Sequence, residues 1–212
     1  MSYANPNPLI IDAPVGIDAP IARIQNLLSS LPWLTCAYGR ATIGQETIAG
    51  SEEIFPEVYQ GTNDYLRLTP NNFLAAQSYV QLEGPGKPMN YSLAARRTWQ
   101  YPIGLVVICN LETIKKESGY NYNYRFTEIL KNEILDALRF FPQFAISNIS
   151  ENPQDVFRGY SYDHTKYQTF RHPEAGYKFS GVLTFDDICI PTKPTPPTVR
   201  LDYFQLEFRE TF

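Results

Sequence analysis

Apolar residues recur at helical spacing in two stretches of this 212-residue chain. The first follows Asp18, a suitable N-cap, has Pro20 in its first turn and ends at Pro32. The second spans residues 126–141 and is stopped by Pro142. The spacing predicts two amphipathic helices that each bury one face. The predicted apolar stripe of the second, main helix is Phe126, Ile129, Leu130, Ile134, Ala137, Leu138 and Phe141.

Other stretches follow strand patterns. Residues 103–109 are apolar and rich in β-branched side chains, which predicts a central strand over 99–110 covered on both faces. Residues 177–188 alternate apolar and polar positions, which predicts a half-buried antiparallel strand. Shorter strands are predicted over 33–42, 55–59, 65–69 and 79–82, and an irregular or edge strand around 156–162. A polar connection is predicted over 43–53 and a loop over 117–122.

These elements predict an α+β fold with an antiparallel (mixed) sheet flanked by two helices. The main helix should pack across the central strand. We expect an extended N-terminal arm over residues 1–17, an α+β core domain over 18–190, and a C-terminal arm over 191–212. Prolines in both arms fix φ and remove backbone donors, which disfavours helix there.

The C-terminal arm has two parts. Residues 191–198 hold four prolines, which indicates a stiff polyproline-II spacer of about 3 Å per residue, and residues 199–208 resume strand character. Such a tail can add to an exposed sheet edge. Because the spacer, about 24 Å long, exceeds the ~5 Å step to an adjacent strand, we expect the edge to belong to a neighbouring molecule. The predicted oligomer-interface residues are Leu9, Ile10, Ile11, Val199, Leu201, Tyr203, Phe204, Leu206 and Phe208.

Composition narrows the class of function. Aromatic residues make up 14% of the chain, with 15 Tyr and 13 Phe, which fits either a sheet core or surfaces that become buried on assembly. The net charge of −4 is scattered, so no basic stripe for sequence-independent DNA binding is present. Cys36, Cys109 and Cys189 have the apolar surroundings of reduced core cysteines. No leader or long apolar run is visible, so we expect a soluble protein made in the cytoplasm, with no membrane partner.

Motifs for enzymatic chemistry are missing: the sequence has no nucleotide-binding loop, zinc-protease motif or nucleophile elbow. Asp163, His164 and His172 are the candidates for a metal or acid–base cluster, but a polar loop is the favoured interpretation. Asp186 and Asp187 are adjacent in a strand and should point to opposite faces. We therefore expect no enzymatic activity, no cofactor and no metal.

Two alternatives stay open. A metal-dependent hydrolase would use Asp163, His164 and His172. A monomeric module that binds a peptide or a glycan would use Tyr120, Tyr122 and Tyr124, which a strand would place on one face, although a loop or a lead-in to the main helix is favoured for that run.

The layout resembles tail-terminator and neck-ring proteins of tailed bacteriophages over roughly residues 18–190. It shares an N-terminal amphipathic helix, an antiparallel sheet, a central helix after a very apolar strand, the late strand 177–185 and an extended tail. The Pro- and Asn/Tyr-rich style is similar to virion proteins of phages of Bacteroidetes, including the crAss-like group. Residues 43–98 and the Pro-rich spacer depart from the layout.

The resemblance implies a structural subunit of the virion neck or tail, made in the host cytoplasm. It implies a homo-oligomeric ring of six or twelve copies that joins head and tail through contacts with portal, neck or tail proteins. DNA would pass through such a ring without being specifically bound. The resemblance carries no catalytic residue, because that family has none.

Overall fold

The computed structural model describes residues 14–48, 50–61, 64–68, 70, 74–89, 96–118, 126–161, 170 and 173–188. The helices in these ranges are α1 (Asp18–Leu28), α2 (Leu111–Ser118), α3 (Phe126–Leu138) and the one-turn α4 (Pro153–Val156). The strands are β1 (Cys36–Arg40), β2 (Thr42–Ile48), β3 (Ser51–Gly61), β4 (Asp64–Arg67), β5 (Ala76–Leu82), β6 (Lys87–Pro88), β7 (Arg96–Asn110), β8 (Phe144–Ser150) and β9 (Glu174–Ile188).

The large sheet has the strand order β1-β5-β7-β9-β8, with β6 paired to β7 near its start. β1 and β5 are parallel and the other pairs are antiparallel, so the sheet is mixed and the predicted α+β class is confirmed. β7 lies in the middle, as predicted for the central strand. It pairs with β9 from Arg96 opposite Ile188 to Asn110 opposite Glu174.

Helices α1, α2 and α3 cover one face of the large sheet. Side chains of β7 alternate between the two faces: Ile103, Leu105 and Val107 belong to the helix-side core, which also contains Leu130 and Ile134 of α3. The prediction that the main helix packs across the central strand is confirmed. The buried stripe of α3 is narrower than predicted.

Two details of the helices differ from prediction. Ile129 is 40% exposed, because it sits about 100° around the helix from Leu130, away from the line that touches the sheet. The N-cap of α1 is Ile17, and Asp18 is the first helical residue. The Asp18 carboxylate instead lies 3.3 Å from the Arg40 guanidinium, and an acidic group in the first turn also suits the helix dipole.

The second face of the large sheet carries a small antiparallel sheet of order β2-β3-β4. Val58 of β3 shares a second core with Tyr79 and Val106 of the large sheet and with Val156 of α4. The predicted polar connection over 43–53 is wrong, because these residues form β2 and the start of β3. Backbone pairing such as Glu46 opposite Glu53 holds a hairpin whose polar side chains can stay in water.

The region after the main helix also differs from prediction. No strand forms over residues 156–161, the described part of the predicted irregular or edge strand. Pro153 instead opens α4, and the Asn152 side chain caps it by accepting a hydrogen bond from the Gln154 N–H at 3.0 Å. The outer strand is β8 instead, some ten residues earlier. Residues 117–118, predicted as loop, instead form the end of α2.

Buried tyrosines and cysteines line both cores. Tyr79 and Tyr177 are fully buried, whereas Tyr59 and Tyr65 are about half exposed, so tyrosine serves both core and surface. Cys36 and Cys109 are free and buried, as predicted. Burial also raises the pKa of the Cys109 thiol, which keeps it protonated and unreactive.

We expect alkaline pH to unfold this protein as its buried tyrosines ionise. Burial raises the pKa of Tyr160 to about 12, and it also raises the pKa values of Tyr79 and Tyr177 above the ordinary 10.0. The folded state thus favours the neutral phenols, and this stability is complete below pH 10 and lost as pH rises toward 12. The part of the tyrosinate absorbance that comes from the buried tyrosines should rise in one cooperative step above pH 10, together with loss of far-UV circular dichroism. Smooth titration of all tyrosines near pH 10 in a folded protein would contradict this.

Candidate functional site: an open edge of the large sheet

β8 is the outer strand of the large sheet, and no other strand in the described ranges pairs with its free side. The Thr184 N–H donates to the Gln143 carbonyl at 2.8 Å, which fixes the alternation of this antiparallel ladder. By that alternation and the register of the pairs, Ile146 and Ile149 direct their backbone N–H and C=O groups away from β9. No described strand pairs with these groups, so they can accept an incoming strand.

The sequence of β8 lacks two of the features that commonly protect an edge strand. Its seven residues, FAISNIS, contain no charge and no proline. A bulge between Ile146 and Asn148 is the one irregularity in its pairing. Across the bulge, the Ser147 hydroxyl donates to the Ser180 carbonyl at 3.2 Å.

The other sheet edges are less available. At β1, the buried Gln25 side chain of α1 donates from Nε2 to the Ala37 carbonyl at 2.7 Å, so the helix covers that edge. In the small sheet, β4 has only four residues, including Asp64 and Arg67, and β2 carries Glu46. Charged or very short edge strands resist pairing with another chain. Among the described strands, β8 is therefore the edge best suited to accept one.

An exposed aromatic side chain precedes this edge in the chain. Phe140 is 81% exposed and lies four residues before β8, with the Arg139 guanidinium 5.7 Å from its ring centre. Single exposed apolar residues are common on soluble proteins. Phe140 is of interest because the turn that contains it leads directly into β8. The other large apolar side chains with substantial exposure are Val15, Ile43, Tyr59, Tyr65, Leu82, Met89 and Ile129.

A polar groove of about 1010 Å³ lies over the second face of the large sheet, with Arg40 and Arg158 in its lining. Lys178, also in the lining, is only 4% exposed, and its Nζ lies 2.7 Å from Glu83 Oε1. A Cβ at Gly104 would come within 2.7 Å of Lys178 Cε, so the glycine leaves room for this ion pair. The lysine charge is neutralised inside the protein, and we assign the pair a structural role.

The described residues give no support to a metal centre, since no group of three or more His, Cys, Asp or Glu side chains gathers among them. Asp186 accepts a hydrogen bond from the Thr98 hydroxyl at 2.6 Å across the β7–β9 ladder. None of the helices in the described ranges has the length and apolar character needed to cross a bilayer.

Most residues singled out by the sequence fall outside the described ranges. These are the candidate cluster Asp163, His164 and His172, the tyrosines Tyr120, Tyr122 and Tyr124, Cys189, and all the predicted interface residues of the two arms: Leu9, Ile10, Ile11, Val199, Leu201, Tyr203, Phe204, Leu206 and Phe208. The structure supplies what the sequence lacked, namely a sheet edge that could receive an arm.

Comparison with known proteins found no match to this chain among protein-family models, curated proteins or solved structures.

Proposed function

We propose that this protein is a structural subunit that associates with copies of itself into a ring, in the manner of a subunit at the neck or tail of a phage virion. The observation that carries the proposal is the uncharged strand β8, which has no partner on its outer side among the described strands and follows the exposed Phe140 by four residues. Unpaired backbone groups of an edge strand are suited to burial against another protein molecule.

The unequal edges of the large sheet favour a ring over a symmetric pair. The β1 edge is covered by α1 through Gln25, whereas the β8 edge has no partner among the described strands. Unless two β8 strands pair with each other, β8 must therefore bind a different surface on the neighbouring copy. Contacts between unlike surfaces run head to tail, and they close into rings when the rotation allows. In a virion, such a ring would also contact portal, neck or tail proteins.

Native mass spectrometry and light scattering on the full chain test this proposal. We expect a closed oligomer, with six or twelve copies as the resemblance implies. Phe140→Asp should weaken association at least tenfold, because it places a charge four residues before the joining strand. Tyr65→Asp is the matched control: it also replaces an exposed aromatic residue, but on β4 of the small sheet, and it should leave association unchanged.

Two results would contradict the proposal. One is a chain that stays monomeric at all concentrations and binds no virion protein. The other is a species that stops at two copies, because paired β8 edges form a closed symmetric dimer and leave no surface for a ring.

A further inference from the structure

We propose that residues 199–208 of one copy add to β8 of a neighbouring copy as an extra antiparallel strand. This inference rests on the proposed function and names the two segments that would join the copies. It draws on three observations: the spacing of apolar residues, the distribution of polar residues, and the place where β9 ends.

The spacing of apolar residues on the two segments matches. On β8, the residues that pack toward the helix-side core are Phe144, Ile146 and Ile149. The first two are two positions apart and the last two are three positions apart, because the bulge inserts a residue between them. Segment 199–208, VRLDYFQLEF, has the same break: its apolar residues occupy odd positions up to Tyr203 and even positions from there on.

Because of this break, three apolar residues of segment 199–208 can lie opposite the three apolar residues of β8. In one antiparallel register Leu206, Phe204 and Leu201 fall opposite Phe144, Ile146 and Ile149, and a register shifted by two places Phe208, Leu206 and Tyr203 there. A strictly alternating strand would place a polar residue at one of the three positions, because a shift of one residue moves a side chain to the other face. The arm is therefore patterned for a bulged edge.

The polar residues agree with the same pairing. Asn148 and Ser150 of β8 line the polar groove on the second face of the sheet. In the first register, Asp202 and Arg200 lie opposite them. The added strand would then extend the helix-side core with its apolar face and the groove wall with its polar face. Antiparallel pairing is also slightly more stable per residue than parallel pairing.

The end of β9 favours a neighbour's edge over the chain's own. To run antiparallel to its own β8, the arm would have to begin beside Ser150, whose partner Lys178 lies ten residues before Ile188. That start is about 33 Å back along the sheet and about 10 Å across two strand spacings, or about 35 Å in all. The steps from Ile188 to Val199 span about 34 Å in polyproline-II geometry, and the chain would first have to reverse direction.

Parallel pairing with its own β8 would leave half of the arm unpaired. If the chain turned back at once after Ile188, the stiff residues 191–198 would carry it about 25 Å. The arm would then start near Ile146, and about five of its ten residues would run past the end of β8 at Ser150. A neighbouring copy imposes neither limit, since the spacer then bridges the gap between two molecules.

Disulfide trapping tests the pairing in the full chain. With Cys189→Ser as background, Asn148→Cys combined with Asp202→Cys probes the first register, and Ser150→Cys combined with Asp202→Cys probes the shifted one. Under mild oxidation, one of these variants should form a ladder of covalent multimers that collapses on reduction. Thr47→Cys combined with Asp202→Cys is the matched control: it places the same thiol on the charged β2 edge and should form no ladder.

The outcomes separate this inference from the proposed function. Multimers in light scattering without a disulfide ladder from either β8 variant overturn the inference and leave the function standing. A monomer in light scattering overturns both. A disulfide formed within a single chain would show that the arm pairs with its own sheet, which also overturns the inference.

Hydrogen exchange gives a second measurement that needs no engineered thiols. The amides of Ile146 and Ile149 should exchange at least tenfold faster in the Leu206→Lys variant than in the native chain, because Leu206 lies on the apolar face of the arm in both registers and the arm no longer covers these amides. Gln205→Lys is the control: it changes a polar position next to Leu206 and should leave both amides protected. Equal exchange in the native chain and in Leu206→Lys would overturn the inference.

Discussion

Glu83→Ala should lower the free energy of unfolding by about 3 kcal/mol. The truncation leaves the ammonium of Lys178, which is 4% exposed and 2.7 Å from Glu83 Oε1, without its counter-charge in the interior. Removing one partner of a buried pair typically costs about 3–5 kcal/mol. The lower end applies because Glu83 keeps 25% of its side chain in contact with water. Urea unfolding monitored by circular dichroism measures the effect.

The double variant Glu83→Gln, Lys178→Met is the control. It removes both charges and keeps similar volumes, so its stability should stay within about 1 kcal/mol of the native value. The native protein and the double variant should have similar free energies of unfolding, and Glu83→Ala should have a much lower one. A cost under about 1 kcal/mol for Glu83→Ala would mean that Lys178 reaches water once its partner is gone.

Gly181→Ala is expected to cost about 3 kcal/mol, the upper part of the usual range for overpacking. A Cβ at this position would lie 2.2 Å from the Ala145 carbonyl oxygen and 2.9 Å from Ile146 Cα. Both are backbone atoms of β8, so they cannot yield unless β8 separates from β9. We therefore expect faster hydrogen exchange across β8 as well as an earlier urea midpoint.

Gly84→Ala provides the comparison for that substitution. Its Cβ would meet only Pro102 Cγ, at 3.1 Å, and a small shift of the ring relieves this, so we expect a change within about 0.5 kcal/mol. If Gly181→Ala proved equally mild, the close contact between β8 and β9 would not control the position of the edge strand. Association should also fall in Gly181→Ala if β8 is the joining edge.

The parts of the fold that the sequence predicts are those with a strong periodic pattern. β7 could be predicted because its run from Ile103 to Cys109 is buried on both faces, and α3 because Leu130 and Ile134 follow helical spacing. β2 could not, since polar residues such as Gln45 and Glu46 show no apolar alternation in a hairpin that keeps its outer surface in water. The parallel pairing of β1 with β5 is equally hard to predict from the sequence, because it joins residues about forty positions apart, such as Cys36 and Gln77.

The candidate site was harder to predict than the fold. FAISNIS alternates only up to Ile146, where the bulge breaks the pattern, and no local signal shows that β8 is the last strand of its sheet. Being an edge is a property of the whole topology. The alternation over 177–188 predicts that Lys178 lies on the polar face of its strand. Its burial depends on Glu83, which is far away in sequence and lies close only because β5, β7 and β9 pair.

Because β7 and β9 are far apart in sequence, β7 emerges from the ribosome well before the strand that pairs with it has been made. β7 is complete at Asn110, but its partner begins at Glu174 and ends at Ile188. At the usual speed of a ribosome, the β9 side of β7 stays uncovered for about 3 to 13 seconds before Glu174 is even added. An apolar strand left open for that long can aggregate, so we expect newly made chains to need chaperones more than finished ones do.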